Sequence, residues 1–195
     1  MKTRIAIVGL PQSNKTLLAN ALSNITGFPF IRNRTMYEWY TMFNICLYHH
    51  LEWKDMFLIA SSSFFERVEA ETHFEHFISD GASFSELMYL KSVAAKFESG
   101  KKKWERDRTI ESLENKSVSH AIQQYDFIVH ANYNDVHDTE LYEHLYLKNG
   151  IPYKVYRTEI IEKALREIVN DLELPVQHSI DGAIYQARIN LFTKK

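Results

Sequence analysis

An eight-residue segment near the amino terminus carries residue types that suit phosphate binding. It runs from Gly9 to Thr16 with the sequence GLPQSNKT and matches the pattern G-x-x-x-x-G-K-[S/T], except that Asn14 replaces the second glycine. Backbone N–H groups of such a loop point at an anion, and the following helix adds positive potential. Lys15 would reach the β- and γ-phosphates, and the Thr16 hydroxyl would ligate Mg²⁺. The predicted nucleotide-binding residues are Gly9, Leu10, Pro11, Gln12, Ser13, Asn14, Lys15, Thr16 and Leu17.

Asn14 is the least disruptive replacement for that glycine, because Asn tolerates a positive φ better than other non-glycine residues. If its side chain crowds a phosphate oxygen, Asn14→Gly should tighten nucleotide binding. If the side chain makes a hydrogen bond of its own, the same change should weaken binding. An ordinary strand–loop–helix turn with a chance lysine is the alternative interpretation of the segment.

Asp80 is the candidate carboxylate, since it follows a predicted buried strand and precedes Gly81. In that place a carboxylate can bind a Mg²⁺-coordinated water or accept the proton of an attacking hydroxyl. Asp-Gly is also common turn chemistry for leaving a strand. The local sequence leaves the two interpretations open.

Two arginines follow the second predicted strand on the same rim. The guanidinium groups of Arg32 and Arg34 suit an anionic acceptor or a transferred phosphate. Solvated surface arginines are the alternative.

Short apolar runs alternate with amphipathic stretches along the whole chain. The predicted strands are Arg4–Val8, Phe28–Ile31, Phe74–Ser79, Tyr125–Ala131 and Pro152–Tyr156. The predicted helices cover 16–23, 36–51, 53–71, 83–97, a stretch between 108 and 124, 138–149 and 160–172, and the tail beyond Pro175 is not assigned. This alternation predicts a three-layer α/β/α fold with a mainly parallel five-stranded sheet. Ligands in such sheets bind beyond the carboxyl ends of the strands.

With these elements placed, Arg4–Leu22 resembles the P-loop nucleoside and nucleotide kinase-like proteins, and is similar to the small nicotinamide riboside kinase-type ATPases. The likeness continues at Phe77–Gly81, Glu86–Lys91, Tyr125–Val129 and Gly150–Tyr156.

The resemblance implies a single domain over residues 1–195, with ATP and Mg²⁺ as cofactors. It implies Lys15 and Asp80 as catalytic residues, and Thr16 and Asp80 as metal ligands. Residues 98–124 would form a lid whose Arg106 and Arg108 close on the phosphates; a charge run is otherwise a solvated face.

The leading functional hypothesis is a kinase that transfers the ATP γ-phosphoryl to a nucleoside, nucleotide or similar small metabolite. The alternative is a regulatory or interaction protein that binds nucleotide with impaired catalysis. Asn14 and the absence of an arginine after Asp80 favour that alternative.

Composition limits the other classes of function. The chain has 195 residues, 45% of them hydrophobic, and a net charge of −2. A polybasic nucleic-acid binder needs a basic surface, so nucleic acid is not an expected partner. One cysteine excludes an internal disulfide framework and a multi-cysteine metal site. The apolar run Ile5–Leu10 is too short for a signal sequence or a membrane span, which predicts a cytoplasmic protein. The oligomeric state is not predicted.

Overall fold

The computed structural model describes residues 3–9, 12–45, 52–94, 101–133 and 145–193. Its strands are β1 (Thr3–Val8), β2 (Phe30–Ile31), β3 (His76–Asp80), β4 (Phe127–Asn132) and β5 (Tyr153–Arg157). They form one sheet in the order β2-β3-β1-β4-β5, and every neighbouring pair is parallel. The predicted five-stranded parallel sheet is confirmed.

The helices are α1 (Lys15–Thr26), α2 (Met36–Met42), α3 (Trp53–Thr72), α4 (Ser85–Ala94), α5 (Lys101–Gln124), α6 (Ile161–Asp171) and α7 (Ile180–Phe192). Residues 145–149 are also helical. In the described part of the chain, no helix is long and apolar enough to cross a membrane.

The side chains of β1 alternate between two apolar cores. Ile5 and Ile7 pack with α1, α6 and α7 on one face of the sheet. Ala6 and Val8 pack on the other face with α2, α3, α4 and α5. Burial on both faces is why β1 has an uninterrupted apolar run, and it confirms the three-layer architecture.

Two predicted elements differ in the structure. The helix predicted over 36–51 ends at Met42, and Asn44 follows with φ 54°, a left-handed conformation that does not continue a helix. The charged stretch 99–108 lies mostly within the first turns of α5, which is helical from Lys101. Residues 95–97 and 138–144 of the other predicted helices lie outside the described residues.

The chain beyond Pro175, for which the sequence predicts no element, forms α7, which packs against α1. Its fully buried side chains are the small residues Ala183 and Ala187, one turn apart. Small residues let two helices approach closely, but they leave a weak hydrophobic period in the sequence. The helix was therefore hard to recognise without its packing partner.

Candidate functional site

The segment after β1 turns sharply into α1. Gly9 has φ 150°, and a Cβ there would collide with the carbonyl oxygen of Ala131 and with Ser13 Oγ. Only glycine fits such a backbone so close to the end of β4. Leu10 and Pro11 of the predicted loop lie outside the described residues.

Asn14 is the N-cap residue of α1 and adopts φ 61° and ψ 13°. The position thus has the positive φ that Asn tolerates better than other non-glycine residues. Its side-chain amide Nδ2 donates to the carbonyl oxygen of Thr158, at 3.2 Å. The Asn14 side chain thus makes a hydrogen bond of its own to the segment that follows β5.

Thr158 ties the loop to the neighbouring strand ends. Its hydroxyl is fully buried and lies 2.7 Å from the carbonyl oxygen of Ser13 and 2.9 Å from that of Asn132. Its backbone N–H donates to the Asn132 carbonyl oxygen at 2.8 Å. This residue was not predicted as part of the site, because nothing in its local sequence indicates a contact with residues 13 and 14.

Ser13 is 4% exposed, and its hydroxyl has no hydrogen-bond partner among the described residues. Buried polar groups are normally paired, so a buried hydroxyl of this kind suits a ligand atom. It lies beside Gly9 and immediately before the N-terminus of α1, where the helix dipole favours an anion. These features fit a phosphate group.

Asp80 meets Thr16 at the start of α1. The Thr16 hydroxyl donates to Asp80 Oδ2 at 2.8 Å. Residue 80 stands opposite Ile7 in the β1–β3 register, and Ile7 packs on the α1 face of the sheet. The structure thus brings together the two residues predicted as metal ligands. A hydroxyl and a carboxylate are the hard oxygen donors that Mg²⁺ takes, with water and phosphate oxygens completing the shell.

The remaining predicted loop residues line the same turn. Gln12 is exposed with φ 74°, while Lys15 and Leu17 are partly exposed in the first turn of α1. The two left-handed residues, Gln12 and Asn14, give the loop its tight path into the helix.

A buried polar cluster lies behind Asp80, on the opposite face of the sheet. It contains Arg67 and Glu71 of α3, Ser79 of β3, His120 of α5, and Tyr125. Burial raises the pKa of the Glu71 carboxyl to about 7, although Arg67 and two hydroxyl donors act in the opposite direction. Burial, with Arg67, lowers the pKa of His120 to about 4. No local sequence pattern marks this cluster, because its members come from α3, β3, α5 and the residue after α5.

Arg32 and Arg34 follow β2 at the rim that also carries Asp80, since Ile31 stands opposite Ser79 in the register. Arg32 pairs with Glu38 at 2.7 Å, and Arg34 pairs with Glu66 at 2.7 Å. A cavity of about 190 Å³ between β2 and α3 is lined by both arginines. Both side chains are partly solvent-exposed, so a ligand can reach them.

Arg106 and Arg108 lie near the beginning of α5. Arg106 is buried, and its guanidinium contacts Asp107 at 2.9 Å. The Arg108 guanidinium lies over the Trp104 ring, 4.9 Å from the centroid. Arg106 is therefore buried, whereas Arg108 is at the surface.

A cavity of about 520 Å³ opens beside the phosphate loop, between Asn14, the segment after β5 and α7. Ile160 and Tyr185 give it apolar surface, and the carboxylates of Glu159 and Asp181 also line it. Apolar and aromatic surface with a few polar groups suits a nucleobase. Another cavity of about 580 Å³ lies at the far end of α1 and is lined by no predicted site residue.

No protein-family model and no curated protein sequence matches the chain. Among solved structures, a deoxyadenosine kinase from M. mycoides with bound dATP aligns with 89% of this chain and 100% of its own, at a TM-score of 0.61 and 15% identity. The same kinase with bound dCTP aligns with 88% of this chain and 99% of its own, at a TM-score of 0.60 and 13% identity. The chain therefore has a P-loop nucleotide kinase-like fold, which confirms the fold implied by the resemblance.

Proposed function

We propose that this protein binds ATP with Mg²⁺ at the Gly9–Leu17 loop and transfers the γ-phosphoryl group to a small nucleoside-like acceptor. The contact between the Thr16 hydroxyl and the Asp80 carboxylate carries the proposal. It joins a helix N-terminus to the acidic end of the neighbouring strand, as a phosphate–Mg²⁺ site requires.

The phosphates would lie against the N-terminus of α1, near the Ser13 hydroxyl and within reach of Lys15. The nucleobase would occupy the cavity beside Asn14, with Tyr185 and Ile160 as apolar walls. Thr16 and Asp80 would hold Mg²⁺, which neutralises charge on the β- and γ-phosphates.

In the transfer, an acceptor hydroxyl oxygen forms a bond to the γ-phosphorus. The bond from that phosphorus to the β–γ bridging oxygen breaks, and ADP leaves with the electron pair. The acceptor proton passes to a carboxylate, and Asp80 is the candidate if it holds Mg²⁺ through a coordinated water rather than directly. Arg32 and Arg34 lie on the acceptor side of the rim. Of the predicted lid over residues 98–124, only the beginning of α5 with Arg106 and Arg108 remains a candidate, because Ile110, Leu113 and Ala121 of α5 are buried in the core.

Nucleotide binding is tested by titrating ATP into the wild type and into Lys15→Ala, with and without Mg²⁺. Lys15→Ala should weaken ATP binding strongly without unfolding the protein, because a partly exposed loop lysine adds little to the core. Lys163→Ala is the matched control, since Lys163 is an exposed helix lysine paired with Glu167. Equal ATP affinity in Lys15→Ala and wild type would contradict the loop assignment.

The acceptor is sought with ATP·Mg²⁺ present, by thermal shift against a panel of nucleosides, nucleotides and related metabolites. A ligand of the native state raises the unfolding midpoint by mass action. ADP formation that depends on one panel member would establish the kinase.

The second candidate function is nucleotide binding without transfer. It is favoured by Asn14, which stands at the second glycine position of the loop pattern. The Asn14 side chain is held in place by its hydrogen bond to the Thr158 carbonyl oxygen. ATP binding with no acceptor-dependent turnover across the panel would select it.

A further inference from the structure

One buried guanidinium contacts three consecutive residues at the end of β3. Arg67 Nη1 donates to Ser79 Oγ at 2.6 Å and to the Gly81 carbonyl oxygen at 3.0 Å. Its Nη2 donates to the Asp80 carbonyl oxygen at 3.1 Å. Because these bonds lie on both sides of the peptide that joins Asp80 to Gly81, they set the direction in which the strand ends.

Arg67 is in turn paired with Glu71 of the same helix, and Glu71 is bonded by Tyr125, the residue after α5. Glu71 lies one helical turn after Arg67, with 3.9 Å between Nη1 and Oε1. Glu71 Oε1 also accepts from the hydroxyls of Ser79 at 2.8 Å and Tyr125 at 2.9 Å. The Tyr125 hydroxyl accepts from the Ser83 N–H at 2.9 Å, so the cluster also reaches the segment before α4.

The alternation of β3 separates this cluster from the proposed ligand side. Ser79 points to the α3 face of the sheet, and Asp80 points to α1 and Thr16. Gly81 completes the arrangement with φ 97°, and a Cβ on it would lie 3.0 Å from Arg67 Nη2. The space beside the strand end is therefore taken by the guanidinium of Arg67.

A buried charge pair is weak support for stability, because its desolvation costs about as much as the pair returns. Arg67 is 4% exposed and Glu71 is 0% exposed. The pair instead orients the end of β3. Three hydrogen bonds run from Arg67 to residues 79–81, and two more run to Glu71 from Ser79 and Tyr125. We propose that Arg67 and Glu71 are positioning residues, which hold the end of β3 so that the Asp80 carboxylate stays at Thr16 and at the bound nucleotide. This inference rests on the proposed phosphoryl transfer.

The first test compares Arg67→Lys, Glu71→Gln and the control Lys91→Met. Arg67→Lys keeps the positive charge but loses the two-pronged guanidinium that bonds through both Nη1 and Nη2. Glu71→Gln loses the carboxylate charge but keeps a hydrogen-bonding group. Lys91 forms an exposed ion pair with Glu114 between α4 and α5, so its removal should leave turnover unchanged. Removing a group that orients a ligating residue typically costs about 10- to 100-fold. We expect kcat to fall by about that factor in both cluster variants, with little change in KM for ATP.

A positioning role also requires that the effect act through Asp80. In the Asp80→Asn background, Arg67→Lys should therefore cost little further rate, whereas independent effects would multiply. Multiplying effects in this cycle, or an unchanged kcat in a folded Arg67→Lys protein, would overturn the proposal.

Hydrogen exchange supplies a readout that needs no nucleotide. The Gly81 N–H donates to the Ile7 carbonyl oxygen at 2.7 Å, and its exchange reports how firmly β3 ends beside β1. Arg67→Lys should speed exchange at Gly81 and leave the Thr158 amide, which bonds to Asn132, unchanged. Unchanged exchange at Gly81 would overturn the inference. If the wild type bound no ATP, the proposed function would fail, and faster exchange at Gly81 would still support the hold on β3.

Discussion

The two faces of β3 end in different environments. On the α1 face, the carboxylate of Asp80 meets the Thr16 hydroxyl at a rim of partly exposed loop residues. On the α3 face, Ser79 enters a cluster in which a carboxylate, a guanidinium and a phenol are all deeply buried. Asp80 and Arg67 are equally buried, at 4% exposed each, but the Asp80 carboxylate borders the partly exposed first turn of α1 through Thr16, whereas Arg67 is surrounded by the buried residues Glu71, Ser79 and Gly81.

The two layers of helices also differ in the buried polar groups that accompany their apolar cores. In the layer of α1, α6 and α7, the apolar core is accompanied by uncharged buried polar side chains of α1, namely Asn20, Ser23 and Thr26. The layer of α3 and α5 combines its apolar core with the buried Arg67–Glu71 pair. An apolar pair would fill the same volume at lower desolvation cost, so the buried pair is consistent with the positioning role that we propose for Arg67 and Glu71.

The largest effect is expected on the ligand side, in Asp80→Asn. Positioned proton transfer contributes about 10²–10⁴-fold to rate, or roughly 3–5 kcal/mol of barrier. Under the kinase hypothesis, phosphoryl transfer should fall by that factor while ATP binding stays within about tenfold. A stopped assay of ADP formation, run beside direct nucleotide titration, measures both. Equal turnover in wild type and variant would remove Asp80 from the mechanism.

Arg67→Met should have the largest effect on stability. Above pH 7, where the Glu71 carboxyl is ionised in the wild type, it leaves that carboxylate buried without its cation, and breaking a buried pair in this way costs about 3–5 kcal/mol of unfolding free energy. Urea unfolding measures this cost as a lower midpoint at unchanged slope. Arg166→Met removes an arginine from an exposed pair with Glu162 and should cost less than about 1 kcal/mol. Similar losses in the two variants would mean that the cluster is not a tightly coupled unit.

Leu18→Ala tests the apolar face for comparison. Leu18 is fully buried in the core of α1, and a buried Leu→Ala change costs about 2–5 kcal/mol. This loss should be independent of pH, because no titratable group takes part in the change. A pH-dependent loss in Leu18→Ala would show that the two faces of the sheet are coupled.

The cluster should instead give a pH-dependent stability. The pKa of Glu71 is raised from 4.5 to about 7, so its contribution is present below pH 4.5 and is lost as pH rises to about 7. The pKa of His120 is lowered from 6.5 to about 4, so its contribution is present above pH 6.5 and is lost as pH falls to about 4. In the wild type, the Glu71 contribution lowers the unfolding free energy as pH rises, and the His120 contribution raises it.

Glu71→Gln removes the pH dependence of the unfolding free energy that arises from Glu71 and should leave the one that arises from His120. Its unfolding free energy relative to wild type should rise by about 3 kcal/mol between pH 4.5 and pH 7, since each pKa unit is worth about 1.4 kcal/mol. Urea unfolding of both proteins at a series of pH values gives the difference directly. A difference that does not vary with pH would show that Glu71 keeps its ordinary pKa.

The smallest effect is expected in Asn14→Gly. Glycine adopts φ 61° without strain, so the change removes only the hydrogen bond from Asn14 Nδ2 to the Thr158 carbonyl oxygen. A neutral hydrogen bond contributes about 0.5–1.5 kcal/mol. We expect ATP affinity to fall slightly, by less than about tenfold. Tighter binding in a calorimetric titration would show that the side chain crowds the phosphates.

The sequence alone determined the order of the elements and the location of the candidate site. A parallel sheet brings the carboxyl ends of its strands to one edge, so the candidate phosphate-binding loop after β1 and an Asp at the end of β3 had to lie on the same rim. The long helix α3 was predicted over Trp53–Glu71 and is found over Trp53–Thr72. These features are local, because a strand, a turn and an amphipathic helix are each written in neighbouring residues.

The tertiary structure alone decided which polar residues support that site. Arg67 and Glu71 belong to a helix whose sequence does not reveal that this turn faces the end of β3, and the bond from Glu71 to Tyr125 spans 54 residues. The bond from Asn14 to Thr158 spans 144 residues. A buried ion pair and an exposed one have the same residue types and spacing, and they differ only in what packs around them. Burial is a property of the assembled layers, and for this reason the groups that orient Asp80 became visible only in the folded chain.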